Sequence, residues 1–186
     1  MAKNMFDMRK TQEQVLADRV ASVSDEKTAE RIVFGENRVA EQQTDEAWVN
    51  SAMKRLEDTF SSEQVKEIRM NCQCGYGMEE KVDLVKALVS QSSNMEELAS
   101  LKEAKAAGLL YIDGTLHLQF MFCACPMLNK VDKLNTKTWC QCTTGYSKVL
   151  FEKAFGCSVE VELLKSIKAG DDTCLMKIIP EKDIWN

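Results

Sequence analysis

The stretch Leu109-Leu110-Tyr111-Ile112-Asp113-Gly114-Thr115-Leu116-His117-Leu118-Gln119-Phe120-Met121-Phe122-Cys123-Ala124-Cys125-Pro126 decides the fold. Helical spacing gives way here to alternation with a period of two. Asp113-Gly114 is the kind of pair that closes a two-residue hairpin loop, so residues 109–112 and 115–125 read as two antiparallel strands. Leu116, Leu118, Phe120 and Phe122 take one face, the core face. His117, Gln119, Met121, Cys123 and Cys125 take the other. Pro126 cannot donate to a ladder and ends the strand or marks an edge.

Upstream, residues 1–70 read as helical. Gly35 follows Ala29, Ile32, Val33 and Phe34 and stops a helix. Asp45 opens a segment whose apolar stripe is Trp48, Met53, Leu56 and Phe60. Ser61-Ser62-Glu63-Gln64 is a capping box for a helix through Met70. Another helix carries Val82, Val85, Leu88 and Val89, and a second capping box, Ser93-Asn94-Met95-Glu96, starts one that ends near Gly108. Downstream, residues 127–138 read as a polar loop. A helix then runs to Phe155 and stops at Gly156, and strands at 157–167 and 173–179 flank the turn Gly170-Asp171-Asp172. The expectation is one α+β domain over residues 1–186. Its helical part is 1–70, and its core at 71–186 is an antiparallel sheet of two hairpins flanking a central helix.

The chain has 186 residues, enough for a substantial core. Its net charge of −5 and pI near 5.1 argue against nucleic acid, which needs a basic face. No apolar run approaches the roughly 20 residues that span a bilayer, so no membrane partner is expected. Met1 to Asp7 has no continuous apolar signal core, which points to a cytoplasmic, reducing setting. The 8 cysteines are therefore read as metal ligands, redox groups or small core residues and not as disulfides.

Six of them form three Cys-x-Cys pairs: Cys72/Cys74, Cys123/Cys125 and Cys140/Cys142. On a strand the middle pair shares one face. The outer pairs precede predicted helices, whose N-terminal N–H groups favour thiolate over thiol. Cys123, Cys125, Cys140 and Cys142 have the makings of a four-thiolate site for zinc, or less readily an iron–sulfur cluster, with Cys72 and Cys74 beside it. Reactive thiols at Cys140 and Cys142, or mere packing, are the competing readings. Cys157 and Cys174, each single and in a predicted strand, are read as core cysteines.

His117 is the only histidine. It and Tyr146 are candidates for proton transfer beside Cys140 and Cys142. Tyr76 and Tyr146 follow their cysteine pairs at similar places, within a local echo: Cys-Gln-Cys-Gly-Tyr at 72–76 and Cys-Gln-Cys-Thr-Thr-Gly-Tyr at 140–146. Glu160 and Glu162 share a strand face, a pattern that an exposed sheet face also gives.

Cys142-Thr143-Thr144-Gly145-Tyr146, Leu150-Phe151, Phe155-Gly156, Val159-Glu160-Val161-Glu162 and Gly170-Asp171-Asp172-Thr173-Cys174 together resemble the ending of the four-vinyl-reductase ligand-binding domain. They also resemble the bacterial L-2-amino-thiazoline-4-carboxylic acid hydrolase group. The Trp139-Cys140-x-Cys142 element is most similar to cysteine-rich bacterial relatives of those domains. The likeness covers about residues 139–180. It implies an α+β fold with a pocket for a small organic ligand, often in a homodimer, and in the hydrolase group attack on a non-peptide C–N bond. The leading expectation is a small-molecule-binding protein with a cysteine-rich, metal-holding site. A thiolate hydrolase and a non-enzymatic sensor or interaction protein are the alternatives.

Overall fold

Each of the longer N-terminal helices begins at a side chain that satisfies its free backbone N–H groups. In the computed structural model, which describes residues 7–75 and 77–185, Asp7 caps α1 (Met8–Val23) and Asp25 caps α2 (Glu26–Phe34). Thr44 caps α3 (Asp45–Thr59), and Ser61 with Gln64 forms the full capping box of α4 (Ser62–Met70). Gly35, at φ 70°, ends α2 as expected. Then come α5 (Met78–Val89), α6 (Met95–Ser100) and α7 (Lys102–Ala106). The cap of α6 is Asn94, one residue later than expected, because its side chain takes the Glu97 N–H while Ser93 holds the Glu97 carboxylate.

Strands β1 (Leu109–Ile112) and β2 (Thr115–Phe120) form the hairpin around Asp113-Gly114. Helix α8 (Gln141–Phe155) separates it in sequence from β3 (Val159–Lys165) and β4 (Cys174–Pro180). All pairings are antiparallel, in the order β1-β2-β4-β3. The protein is thus α+β, N-terminal helices followed by one four-stranded sheet. Leu116, Leu118, Met176, Ile178, Val159 and Val161 line the buried sheet face, where Leu150, Phe151 and Phe155 of α8 join them in one apolar cluster. No helix among the described residues is long and apolar enough to cross a membrane.

Two expectations need correction. Strand β2 ends at Phe120, not at Cys125, because its partner β4 begins opposite at Cys174 and offers no ladder beyond it. The chain bends there, leaving Met121 72% and Phe122 65% exposed, so Phe122 is not a core residue. Cys123 and Cys125 consequently lie in a loop. The segment 127–138, read as a polar loop, is instead pinned by Met127, Leu128, Val131 and Leu134, with Trp139 directly after it. All five are buried in a second apolar cluster with Leu16, Trp48 and Leu56 of the N-terminal helices.

The two clusters meet where α8 crosses the end of α4. A Cβ on Gly145 would sit 1.8 Å from the Met70 carbonyl oxygen, so only glycine allows this approach. Across the same crossing, Arg69 donates from Nη2 to the Trp139 carbonyl at 3.0 Å and lies 4.1 Å from the Trp139 ring centroid. Trp139 in turn meets Trp48 edge to face at 5.3 Å. Gly145→Ala should destabilise the protein by about 1–3 kcal/mol despite the better helix propensity of alanine, because a backbone oxygen has nowhere to go. A urea midpoint equal to or above wild type would show that the helices can part at no cost.

Candidate functional site

Helical geometry splits the third cysteine pair. A short 3-10 turn, Thr138–Cys140, runs directly into α8. Two residues along a helix turn the direction by about 200°, so Cys140 and Cys142 point to nearly opposite sides. Cys140 faces the sheet, where its Sγ lies 3.1 Å from Ser166 Oγ. Ser166 is fully buried, and its N–H is held by Asp171 at 2.7 Å. The Gly170-Asp171 turn thereby fixes the partner of Cys140. Cys142 faces α4, and its thiol donates to the Cys72 carbonyl at 3.0 Å.

On the sheet side four thiols line one cavity of about 20 Å³: Cys123, Cys125, Cys140 and Cys174. Ser166 and Thr143 supply hydroxyls, and Phe120, Leu163 and Met176 supply apolar wall. Cys174, read from the sequence as core, belongs to this group because β4 starts opposite Phe120, at the open end of β2. The expected partner, Cys142, does not line this cavity. On the helical side Cys142 lies within the electrostatic reach of Cys72, Cys74 and Cys125. Cys125, which lines the sheet-side cavity, also acts electrostatically on Cys140. All these cysteines are free thiols. Among the described residues no group of three or more His, Cys, Asp or Glu side chains is placed to hold a metal ion.

Cys140 is the N-cap residue of α8, as expected, but the Cys72/Cys74 pair is not placed at a helix start. Cys72 does not open a helix; it follows the C-terminus of α4, and its thiol donates to the Ile68 carbonyl at 3.2 Å. That is the negative end of the helix, where a thiolate is disfavoured. The 3-10 turn ahead of α8 takes the N–H of Gln141, so Cys142 has no free helix end to face. Burial dominates instead. It pushes Cys140 from 9.0 up to about 11, against the Ser166 hydrogen bond, and Cys142 up to about 12, against the pull of Arg69. Burial also raises Cys72, Cys123 and Cys125.

Two buried cations flank the thiols, and neither was singled out in the sequence. Arg69 is 0% exposed beside Cys72 and Cys142, with Nε and Nη1 buried and lacking a hydrogen-bond partner among the described residues. Lys168 is 9% exposed, donates to the Val131 carbonyl, and draws Cys123 toward ionisation.

The remaining candidates lie elsewhere. His117 points to the sheet face opposite Leu116 and Leu118, with Nδ1 3.0 Å from the Thr115 carbonyl oxygen, and so is not brought to the cysteines. Tyr146 packs among the apolar residues of the sheet side, with Lys81 Nζ 3.3 Å from its hydroxyl. Tyr76 lies outside the described residues. Cys157 packs at the edge of the sheet cluster. Glu160 is exposed on the edge strand β3, and Glu162 lies opposite Lys177. A larger open cleft of about 410 Å³ lies beside the turn into α8, lined by Glu57, Phe60, Ser62, Lys66, Thr138 and Gln141 among others.

In the metal-free protein the folded chain keeps the Cys140 and Cys142 protons well above the pH at which the unfolded chain releases them. Stability is therefore full below about pH 9 and falls as pH rises through about 11 to 12. The loss is about 1.4 kcal/mol per pH unit for each thiol once the unfolded form ionises. Urea midpoints between pH 8 and 11 should drop more steeply for wild type than for a Cys140→Ser/Cys142→Ser variant. Parallel profiles would show that these thiols are solvated.

No curated protein and no solved structure matches the chain. One family model matches nearly its whole length, residues 5–185. By that match, the chain belongs to a family of unknown function, DUF6144.

Proposed function

We propose that this protein holds a metal ion on cysteine thiolates and binds a small molecule beside it. Cys123, Cys125, Cys140 and Cys174 are the ligands, with zinc the first candidate and an iron–sulfur cluster the second. The observation that carries the reading is the meeting of four thiols from three separate segments around one cavity. At about 20 Å³ the cavity suits a water or a single ion and is far too small for an organic ligand. Four thiolates are the donor set that zinc and iron–sulfur centres take. Metal binding would displace the thiol protons, working against the burial that raises Cys123, Cys125 and Cys140.

The small molecule is assigned to the open cleft between α3, α4 and the start of α8. Its volume of about 410 Å³ falls within the usual range for such ligands. Glu57 and Lys66 offer charges of both signs, and Thr138 and Gln141 offer polar contacts. The likeness of the C-terminal third to ligand-binding domains supports small-molecule binding in general, and of the residues lining this cleft only Gln141 falls within it. A thiolate hydrolase draws less support, since Cys140 and Cys142 are held protonated and His117 is on the far face of the sheet.

Protein purified under reducing conditions should carry metal, and Cys123→Ser or Cys174→Ser should lower its content. Zinc added at about a hundred times its dissociation constant should raise the melting temperature of stripped protein by roughly 5–10 °C. A stripped preparation whose melting temperature zinc leaves unchanged would sink the proposal.

A further inference from the structure

The polar groups of the open cleft of about 410 Å³ are sorted by kind. On one wall Thr136 and Thr138 both donate to Glu57 Oε1, which leaves Glu57 Oε2 without a hydrogen-bond partner among the described residues. The Gln141 N–H donates to the Thr138 carbonyl, so their side chains stack on one side of the 3-10 turn and Gln141 is set beside Glu57. Gln141 Oε1 is shielded from solvent and also has no hydrogen-bond partner among the described residues. A covered acceptor left unmet is costly, and this one borders a space that a ligand can enter. The other wall is α4, where Ser62, Val65 and Lys66 line the cleft at helical spacings of three and four residues. It presents a hydroxyl and a cation, and Lys66 makes no ion pair among the described residues. Phe60 and Val65 supply apolar lining.

We infer that the cleft takes a free amino acid with an apolar side chain, its ammonium on Glu57 and Gln141 and its carboxylate on Lys66 and Ser62. The inference rests on the assignment of the small molecule to this cleft. An ammonium has donors and no acceptor, which suits two neighbouring acceptors, one charged and one neutral. A carboxylate has acceptors alone, which suits an ammonium and a hydroxyl. One carboxylate and one ammonium line the cleft, so their charges cancel, and a ligand that also carries one of each leaves neither wall uncompensated. A ligand with only a positive charge would leave Lys66 unopposed, and one with only a negative charge would leave Glu57 so. The apolar side chain lies against Phe60 and Val65 and is removed from water there. Binding makes and breaks no covalent bond, and the ligand keeps the protonation it has in neutral solution.

Calorimetric titration of the full chain with L-leucine, leucinamide and 4-methylpentanoate tests this, and NMR of isotope-labelled protein locates the binding. Leucine should bind and shift the amide signals of Lys66, Thr138 and Gln141. Leucinamide, which lacks the carboxylate, and 4-methylpentanoate, which lacks the amine, should each bind roughly tenfold or more weakly. Glu57→Gln keeps an acceptor for Thr136 and Thr138; it should weaken leucine by a similar factor and spare 4-methylpentanoate. Lys66→Met should weaken leucine and spare leucinamide. Gln141→Met should weaken leucine while leaving the melting temperature at or above wild type, because it removes the unmet acceptor. Leucine that binds Gln141→Met as well as wild type shows that water meets this acceptor and overturns the placement of the ammonium. Leucinamide or 4-methylpentanoate binding in the cleft as tightly as leucine overturns the amino-acid class, while the cleft stands as a small-molecule site. If none of the three moves those signals, the class and the cleft assignment fall together and the metal reading is untouched.

Discussion

The contact between Gly145 and the Met70 carbonyl is the constraint on which the rest depends. It lets the backbone of α8 lie against the last turn of α4 closer than any side chain would permit. From that approach follow the placement of Arg69 on the Trp139 ring, the donation from Cys142 to the Cys72 carbonyl, and the edge-to-face pair of Trp139 with Trp48. The helical cluster and the sheet cluster could each bury apolar surface alone. The crossing is what joins them, and the cysteines are distributed along the join. Cys72 packs in the helical cluster, Cys123 and Cys125 touch that cluster while lining the sheet-side cavity, and Cys174 sits at the open end of the sheet.

Electrostatically the join is unusual. It holds seven thiols and two buried cations, Arg69 and Lys168, where an ordinary seam would hold aliphatic side chains. With the thiols protonated, the positive charges are met by carbonyl oxygens, an aromatic face and, for Arg69, the Cys72 thiol. Cation–π contact with Trp139 offsets a part of the desolvation of Arg69, of order 2 kcal/mol when buried. A carbonyl hydrogen bond on one nitrogen offsets another. Thiolates would balance the charge outright, but burial holds the protons on. A divalent metal bound as proposed would replace the protons and leave thiolates beside the two cations.

Much of the fold was legible in the residues. Caps at Ser61 and Gly35, the Asp113-Gly114 hairpin and the Gly156 stop are local devices, and each acts within a few residues of its signal. The site was legible only in part. Treating Cys-x-Cys as a unit is sound on a strand, where alternate side chains share a face, and fails on a helix, where they diverge. Sequence spacing therefore pairs Cys142 with Cys140 and gives no signal for Cys174, which is isolated in sequence. Its place depends on the register of β4 against Phe120, which is a long-range fact. Arg69 carried no signal either: on an amphipathic helix an arginine normally reads as surface, and only the crossing of α8 buries it. In the echo of Cys-Gln-Cys before Gly-Tyr, only the second glycine, Gly145, makes a close backbone approach, and nothing in the motif itself signals that.

The same geometry gives the site a connection to its surroundings. The turn Thr138–Cys140 and the first residue of α8 form one wall of the open cleft through Thr138 and Gln141, and the floor of the thiol cavity through Cys140. Glu57 holds that turn from α3 by accepting hydrogen bonds from Thr136 and Thr138. A ligand that competes for the Glu57 carboxylate would loosen the turn that carries Cys140. A metal that pulls Cys140 toward Cys123 and Cys174 would tighten it. By linkage the two events must act on each other to the same extent in free energy. The short rigid turn between them, anchored by Trp139 in the helical cluster, is the element through which that coupling would pass.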